Sequence, residues 1–135
     1  MSRENAAKSA YERGLAIRKS VIGAQYVEES LAAANDFTRP IQELVTEYCW
    51  GTVWARPELS KRDRSLINLA MLTALNRGHE FGVHVRGALN NGVAVDEIRE
   101  VLMQTAIYVG VPAALESFRI ADEQIKAWKS GPETK

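Results

Sequence analysis

Apolar residues recur every three or four positions along most of the 135-residue chain, which is the spacing of one face of an α-helix. No alternating apolar and polar run is long enough to indicate a strand. The pattern predicts an all-α, single-domain helical bundle of about six helices over residues 1–135. A chain of this size buries a real core but needs a partner subunit to form a deep cleft, so we expect an oligomer.

Capping and helix-breaking residues divide this pattern into elements. Helices are predicted over residues 3–20, 27–34 and 37–50, and the first is expected to pack on a neighbouring subunit. Ser60 and Asp63 stand at capping-box spacing before the next helix, which is apolar nearly all round at 66–75 and is therefore predicted to be fully enclosed. It forms a central antiparallel hairpin with a helix at 79–90, and Gly78 and Gly92 are expected to end these two helices. Helices at 96–109 and 112–128 follow, with Tyr108 facing inward and a frayed tail at 130–135.

Charge and composition exclude several classes of partner. Seventeen basic residues balance seventeen acidic ones and no long basic run occurs, so nucleic acid is not expected as a partner. No 18-residue apolar run or apolar signal core is present, which predicts a cytoplasmic protein that does not enter a membrane. The single cysteine, Cys49, is expected to be a buried apolar side chain between two aromatic residues.

Glu80 and His84 are the strongest pair of candidate catalytic residues. They lie four residues apart on a predicted helix, so their side chains can touch. A carboxylate beside an imidazole orients the ring and raises its pKa, which indicates a general acid working near neutral pH. The alternative is that His84 is a packed or surface histidine, because spacing alone does not decide. His79 is the weaker candidate, and two histidines without further ligands do not supply a metal site.

Several other residues are candidates for binding an anionic substrate. Arginine suits a carboxylate because its planar fork binds both oxygens, although each arginine here is alone more often a surface residue. Trp50 and Trp54 can form a pocket wall or fill the core, and Glu47 can supply a second carboxylate. The arginines in or near the predicted hairpin are Arg56, Arg62, Arg64, Arg77 and Arg86.

Five segments together give a more specific signal than any single motif. They read YCWGTVWARP at 48–57, RSLINLAMLTALNR at 64–77, HVRGALNNG at 84–92, EIREVL at 97–102 and AIYVGVPAA at 106–114. In order and spacing they resemble the carboxymuconolactone decarboxylase family, a likeness that covers about residues 11–123. The related alkylhydroperoxidase-type proteins carry a Cys-x-x-Cys pair where this chain has Arg77 and Glu80, so the resemblance favours decarboxylation over peroxide reduction.

This resemblance implies an alkylhydroperoxidase-like all-α fold and a ring-like homohexamer. It also implies cofactor-free decarboxylation of 4-carboxymuconolactone to 3-oxoadipate enol-lactone and CO2, in protocatechuate breakdown by the β-ketoadipate route. His84 would then donate the proton, Glu80 or Glu47 would tune it, and arginine would hold the acetate arm or the lactone oxygen. The alternatives are a family member that acts on another lactone or in redox chemistry, and a non-catalytic helical binding protein.

Overall fold

The computed structural model describes residues 3–131, with side chains from residue 10 onward. Every regular element in this part of the chain is helical, which confirms the predicted all-α class. The chain falls into two compact units, one ending at Leu59 and one beginning at Ser60. The elements are α1 (Arg3–Ile22), α2 (Ala24–Ala32), α3 (Arg39–Leu44), a π-helix (Val45–Val53), α4 (Lys61–Ala74), α5 (Gly78–Asn90), α6 (Val95–Tyr108) and α7 (Val111–Ser130). The single-domain interpretation stays a prediction, and residues 132–135 of the predicted tail lie outside the described residues.

In the first unit, α1 packs closely along the π-helix. Two glycines permit this approach: a Cβ on Gly14 would lie 1.9 Å from the carbonyl oxygen of Thr46, and a Cβ on Gly51 would lie 2.1 Å from that of Ala10. The helix predicted over 37–50 is therefore two elements, because the backbone widens into π geometry after Leu44. Wide π turns of this kind are rare and recur at functional sites.

The second unit is built around the hairpin of α4 and α5, against which α6 and α7 pack. Its buried side chains form one cluster with Phe81, Val85 and Leu102 fully enclosed. Ser60 caps α4, since its side chain accepts a hydrogen bond from the backbone N–H of Asp63 at 3.0 Å, which confirms the predicted cap. The remaining members of the cluster are Leu69, Ala88, Leu89, Val93, Ile98 and Ala121.

The prediction that α4 is fully enclosed is wrong. Only Ser65, Leu69 and Thr73 are buried on this helix, at a spacing of four residues that marks one narrow stripe. Ile67 and Met71 are 43% and 48% exposed. The apolar residues around the rest of α4 therefore form a surface, and large exposed apolar surfaces commonly mark contacts with another protein.

The structure corrects two further local predictions and confirms a third. Gly78 does not end α4; it begins α5, and the left-handed turn falls on Asn76 (φ 58°), a residue type that tolerates this conformation. Gly92 does end α5 in the left-handed region, as predicted (φ 88°). Tyr108 is 79% exposed because the helical face of α6 that is buried runs through Ile98 and Leu102.

Cys49 is exposed rather than buried, since the π-helix directs other side chains inward. Within residues 3–131, no helix combines the length and the apolar character that a membrane span requires. The helix boundaries otherwise differ from the predicted ones by a few residues at each end, as expected where caps and frayed turns compete.

Candidate active site

The hairpin of the second unit places His84 of α5 beside Asn68 of α4. The side-chain amide nitrogen of Asn68 lies 3.5 Å from Nδ1 of His84, a long contact at the limit of a hydrogen bond. Asn68 interrupts an apolar stretch of α4, and both side chains are only partly exposed to solvent. The two helices thus hold a polar pair at a mostly apolar interface.

The pKa of His84 is lowered from 6.5 to about 4, because burial disfavours the charged ring. Glu80 acts in the opposite direction and raises the pKa, but its effect is the smaller one. The sequence-based prediction of a raised pKa is therefore wrong. A carboxylate one helical turn away does not offset the loss of hydration that the imidazole suffers between the helices, and the ring is neutral near pH 7.

The Asn68 contact favours one tautomer of the neutral ring. With the amide N–H of Asn68 facing Nδ1, the favourable arrangement has Nδ1 as the acceptor and the proton on Nε2. A protonated ring would carry a hydrogen on Nδ1 and would oppose this contact. Asn68 and burial therefore favour the same state, a neutral imidazole that presents an Nε2–H donor.

The other candidates on the hairpin have different positions relative to this pair. Arg64 stands one turn before Asn68 on α4 and is half-buried, so it follows the same side of that helix. Glu80 stands one turn before His84 and is exposed. Arg86 is two residues beyond His84, which places it on the far side of α5. Of the predicted arginines in the second unit, Arg64 is the one whose helical register matches the histidine site.

Arg77 belongs to a separate cavity of about 100 Å³. This cavity is also lined by Thr73, Ser117 and Glu116, and two of these residues are joined by a 2.7 Å hydrogen bond between the hydroxyls of Thr73 and Ser117. His84 is not part of its lining. The structure therefore does not bring Arg77 and His84 into one pocket within the second unit.

The first unit contains the remaining predicted residues. Trp50 and Trp54 are buried and stacked, with ring centroids 4.7 Å apart, so both contribute to packing within that unit. Arg56 is exposed and lies 4.0 Å from the carboxylate of Glu58. Glu47 is half-buried in the first turn of the π-helix. Its role in tuning His84 stays a prediction.

Two residues that the sequence-based reasoning did not propose for a site stand out in the structure. Asn68 lies within an apolar segment of the sequence. A lone amide in such a segment is itself a signal of a buried polar contact. Arg18 of α1 is 6% exposed and extends to the π-helix. No spacing rule reveals that contact, since the two partners lie 28 residues apart.

Comparisons with known proteins identify the family of this chain. Residues 39–123 match the carboxymuconolactone decarboxylase family. The chain is 44% identical over 115 residues to nitrosuccinic acid decarboxylase npaB of Metarhizium robertsii, which covers 85% of this chain and 80% of that protein. It is 38% identical over 123 residues to 4-carboxymuconolactone decarboxylase of Acinetobacter baylyi, which covers 91% of this chain and 92% of the relative.

Both relatives are decarboxylases and both matches extend over most of each chain, while the family match spans more than half of this one. The resemblance drawn from the five sequence segments is confirmed. This chain therefore belongs to the carboxymuconolactone decarboxylase family and is a carboxy-lyase.

Proposed function

We propose that this protein decarboxylates 4-carboxymuconolactone to 3-oxoadipate enol-lactone and CO2, in protocatechuate breakdown. The relative from Acinetobacter baylyi supports this substrate, because the match covers nine tenths of both chains. The observation that supports the chemistry is the neutral His84, whose Nε2–H donor is held in place from the Nδ1 side by Asn68.

The proposed reaction follows from the structure of the substrate. The bond between the ring carbon and the departing carboxylate breaks, and its electron pair spreads through the ring alkene onto the lactone carbonyl oxygen. Nε2–H of His84 donates a hydrogen bond to this oxygen as negative charge develops there. A ring carbon then takes up a proton from solvent and completes the enol-lactone. No cofactor is needed, since the conjugated lactone accepts the electrons.

This assignment changes the role first predicted for the histidine. A neutral imidazole is a poor proton donor to carbon, but it is a good hydrogen-bond donor to a developing oxyanion. Arg64 is the arginine that we assign to the acetate arm, since it lies one turn from Asn68. Binding the arm that remains, rather than the departing carboxylate, avoids stabilising the ground state against CO2 loss.

Nitrosuccinic acid is the second candidate substrate, and the 44% identity to the decarboxylase of Metarhizium robertsii favours it. Loss of CO2 from the carbon that bears the nitro group would place the electron pair on the nitro oxygens. The same N–H donor could stabilise that anion. The two candidates thus share a departing carboxylate, a developing oxyanion and a second carboxylate that remains.

A direct comparison of the two substrates tests the proposal. We expect purified protein to release CO2 from freshly generated 4-carboxymuconolactone, with loss of the lactone ultraviolet absorption, at a higher kcat/KM than from nitrosuccinate. A reversed ratio would replace the first substrate with the second. No turnover of either would contradict both assignments and favour a different acid as substrate.

We also propose that the protein is a homohexamer. Apolar side chains are exposed in both units, and such surfaces are usually covered by another subunit. Phe37 is 92% exposed, and Ile107 and Leu115 are 80% and 63% exposed. The further exposed apolar side chains include Ile41, Leu44, Tyr48, Ile67, Met71, Leu75, Met103, Tyr108 and Val111.

The hexamer predicts a mass in solution of six times the 15.0 kDa chain. The double substitution Ile107→Asp and Leu115→Asp should lower that mass, because each introduced carboxylate would have to be desolvated in a subunit contact. Gln104→Glu, which adds one charge at an exposed polar position of the same α6, is the control and should leave the assembly intact. Light scattering coupled to size exclusion measures all three. A monomeric wild-type protein would contradict the prediction.

A further inference from the structure

Arg18 is a buried cation whose described partners are all uncharged. On one side, Nη1 donates to Oγ1 of Thr46 at 3.0 Å, and on the other Nη2 donates to Oε1 of Gln42 at 2.9 Å. Nε is closed to solvent and has no hydrogen-bond partner among the described residues. Within the same part of the chain, no carboxylate lies within ion-pair distance of the guanidinium.

This arrangement is costly for the folded protein. Desolvation of the guanidinium lowers the pKa of Arg18, and a buried charge normally requires an opposite charge to offset the lost hydration. Arginine nevertheless keeps its charge in proteins. A buried arginine with neutral partners and an unused donor therefore carries capacity to bind an anion.

The hydrogen-bond donors of Arg18 that are available to a ligand lie on one edge of the guanidinium. Nε and Nη2 point in the same direction and form the two-pronged edge that binds both oxygens of a carboxylate. The opposite side of the guanidinium already has a hydrogen-bond partner, because the hydroxyl of Thr46 accepts from Nη1. The same hydroxyl donates a hydrogen bond to the backbone carbonyl oxygen of Gln42 at 2.8 Å. On the open edge, Nε lacks a partner and Nη2 is covered only by the amide of the half-buried Gln42.

The backbone around Arg18 is held firmly, while the group covering the edge can move. The close approach of α1 to the π-helix at Gly14 and Gly51 fixes the arginine relative to Thr46. The side chain of Gln42 is bound here through one amide oxygen, and rotation about its χ angles would release Nη2, which lies beside Nε on the same edge. This combination is suited to binding a ligand without reorganising the helix pair.

We propose that the Nε and Nη2 edge of Arg18 binds one carboxylate of a small organic acid, which displaces the amide of Gln42. This acid is a ligand in addition to the substrate that is assigned to the His84 site. The site itself is built wholly from α1, α3 and the π-helix.

The test uses succinate as an inert dicarboxylate and succinamide as its neutral counterpart, at matched ionic strength. We expect millimolar succinate to raise the melting temperature of the wild type by about 3 to 6 °C, since a ligand that binds only the folded state stabilises it. Succinamide should have no effect. An unchanged melting temperature of the wild type in succinate would overturn the proposal.

Arg18→Met separates a binding role from a structural one. Removing a buried charge that lacks a carboxylate should leave the protein at least as stable as the wild type without ligand, and should abolish the succinate response. Arg39→Met is the control, since Arg39 is an exposed arginine paired with Asp36, and it should keep the response. The proposal is contradicted if Arg18→Met is less stable than the wild type and its folded fraction still responds to succinate.

Gln42→Glu provides a second variant if Arg18→Met does not fold. A carboxylate in this position would pair with Arg18, so the variant should melt at a higher temperature than the wild type and no longer respond to succinate. A persisting response would overturn the proposal. Because succinate is not turned over, its effect on the melting temperature is measured independently of decarboxylation. Failure of the proposed function therefore leaves this site standing, and failure of this site leaves the proposed function standing.

Discussion

Replacing His84 with alanine is expected to lower kcat/KM for decarboxylation by about 100- to 1,000-fold, the usual effect of removing one donor from a developing oxyanion. The reason is geometric. Nε2–H is the donor of a ring whose Nδ1 faces the amide of Asn68 between α4 and α5. Alanine removes the N–H donor, and a water molecule that enters the gap does not hold its O–H in a fixed direction. Steady-state kinetics on CO2 release measure the loss.

His84→Gln distinguishes between the two roles that a histidine can have here. The glutamine amide retains an N–H donor at a similar distance from the backbone but cannot supply a proton as an acid. If His84 stabilises an oxyanion, the glutamine variant should keep at least about tenfold more activity than the alanine variant. If His84 is the general acid, both variants should be equally inactive.

His79→Gln is the matched control, because His79 is the other histidine of the chain and is exposed in the first turn of the same helix. It should retain activity within about threefold of the wild type, as expected for a surface substitution away from the reaction. Circular dichroism must show that each variant is folded. Full activity in a folded His84→Ala would remove the histidine from the mechanism.

Hydrophobic periodicity and helix-capping residues correctly predicted the class of fold and the hairpin of α4 and α5. Ser60 and Gly92 were identified correctly because each acts through its own backbone neighbourhood, which the local sequence specifies. The enclosure of α4 was not predictable in this way. Its apolar residues surround the whole helix, and burial of one face or another depends on which neighbours pack there. Local sequence does not contain that information.

The same reason limits what the sequence reveals about the candidate site. The role of His84 stays a prediction, and the predicted direction of its pKa shift was wrong because a sequence shows the charge of Glu80 and not the desolvation of the ring. Asn68 and Arg18 were not proposed as site residues, because the side chain of each contacts a residue of another helix. Contacts such as Arg18 with Thr46 depend on how α1 approaches the π-helix.

Acidification is expected to destabilise the protein through His84. The ring has a pKa of about 4 when folded and 6.5 in the reference state, so the unfolded chain binds this proton first as the pH falls. The stabilisation from keeping the ring neutral is complete above pH 6.5 and is lost between pH 6.5 and 4. We expect the free energy of unfolding to fall by about 2 to 3 kcal/mol between pH 7.5 and 4.5 from this group alone.

Urea denaturation at intervals across that range measures the loss, with His84→Gln as the control. The variant lacks the titrating ring and should lose clearly less stability over the same interval, because Glu97 and Glu116, whose pKa values are also lowered, start from 4.5 and contribute only near the acid end of that range. Equal losses in both proteins would mean that His84 is not desolvated.

Protonation of His84 should also affect the pH dependence of kcat/KM. kcat/KM reports the free enzyme, so it should rise with pH through a pKa near 4 and stay level across neutral pH if the neutral ring is the active form. A general acid would instead require the imidazolium, and kcat/KM would fall as the pH rises through that pKa. An activity that decreases from pH 5 to 7 would therefore restore the histidine as proton donor. The combination of acid destabilisation with a level neutral profile would assign His84 as a neutral donor to the oxyanion.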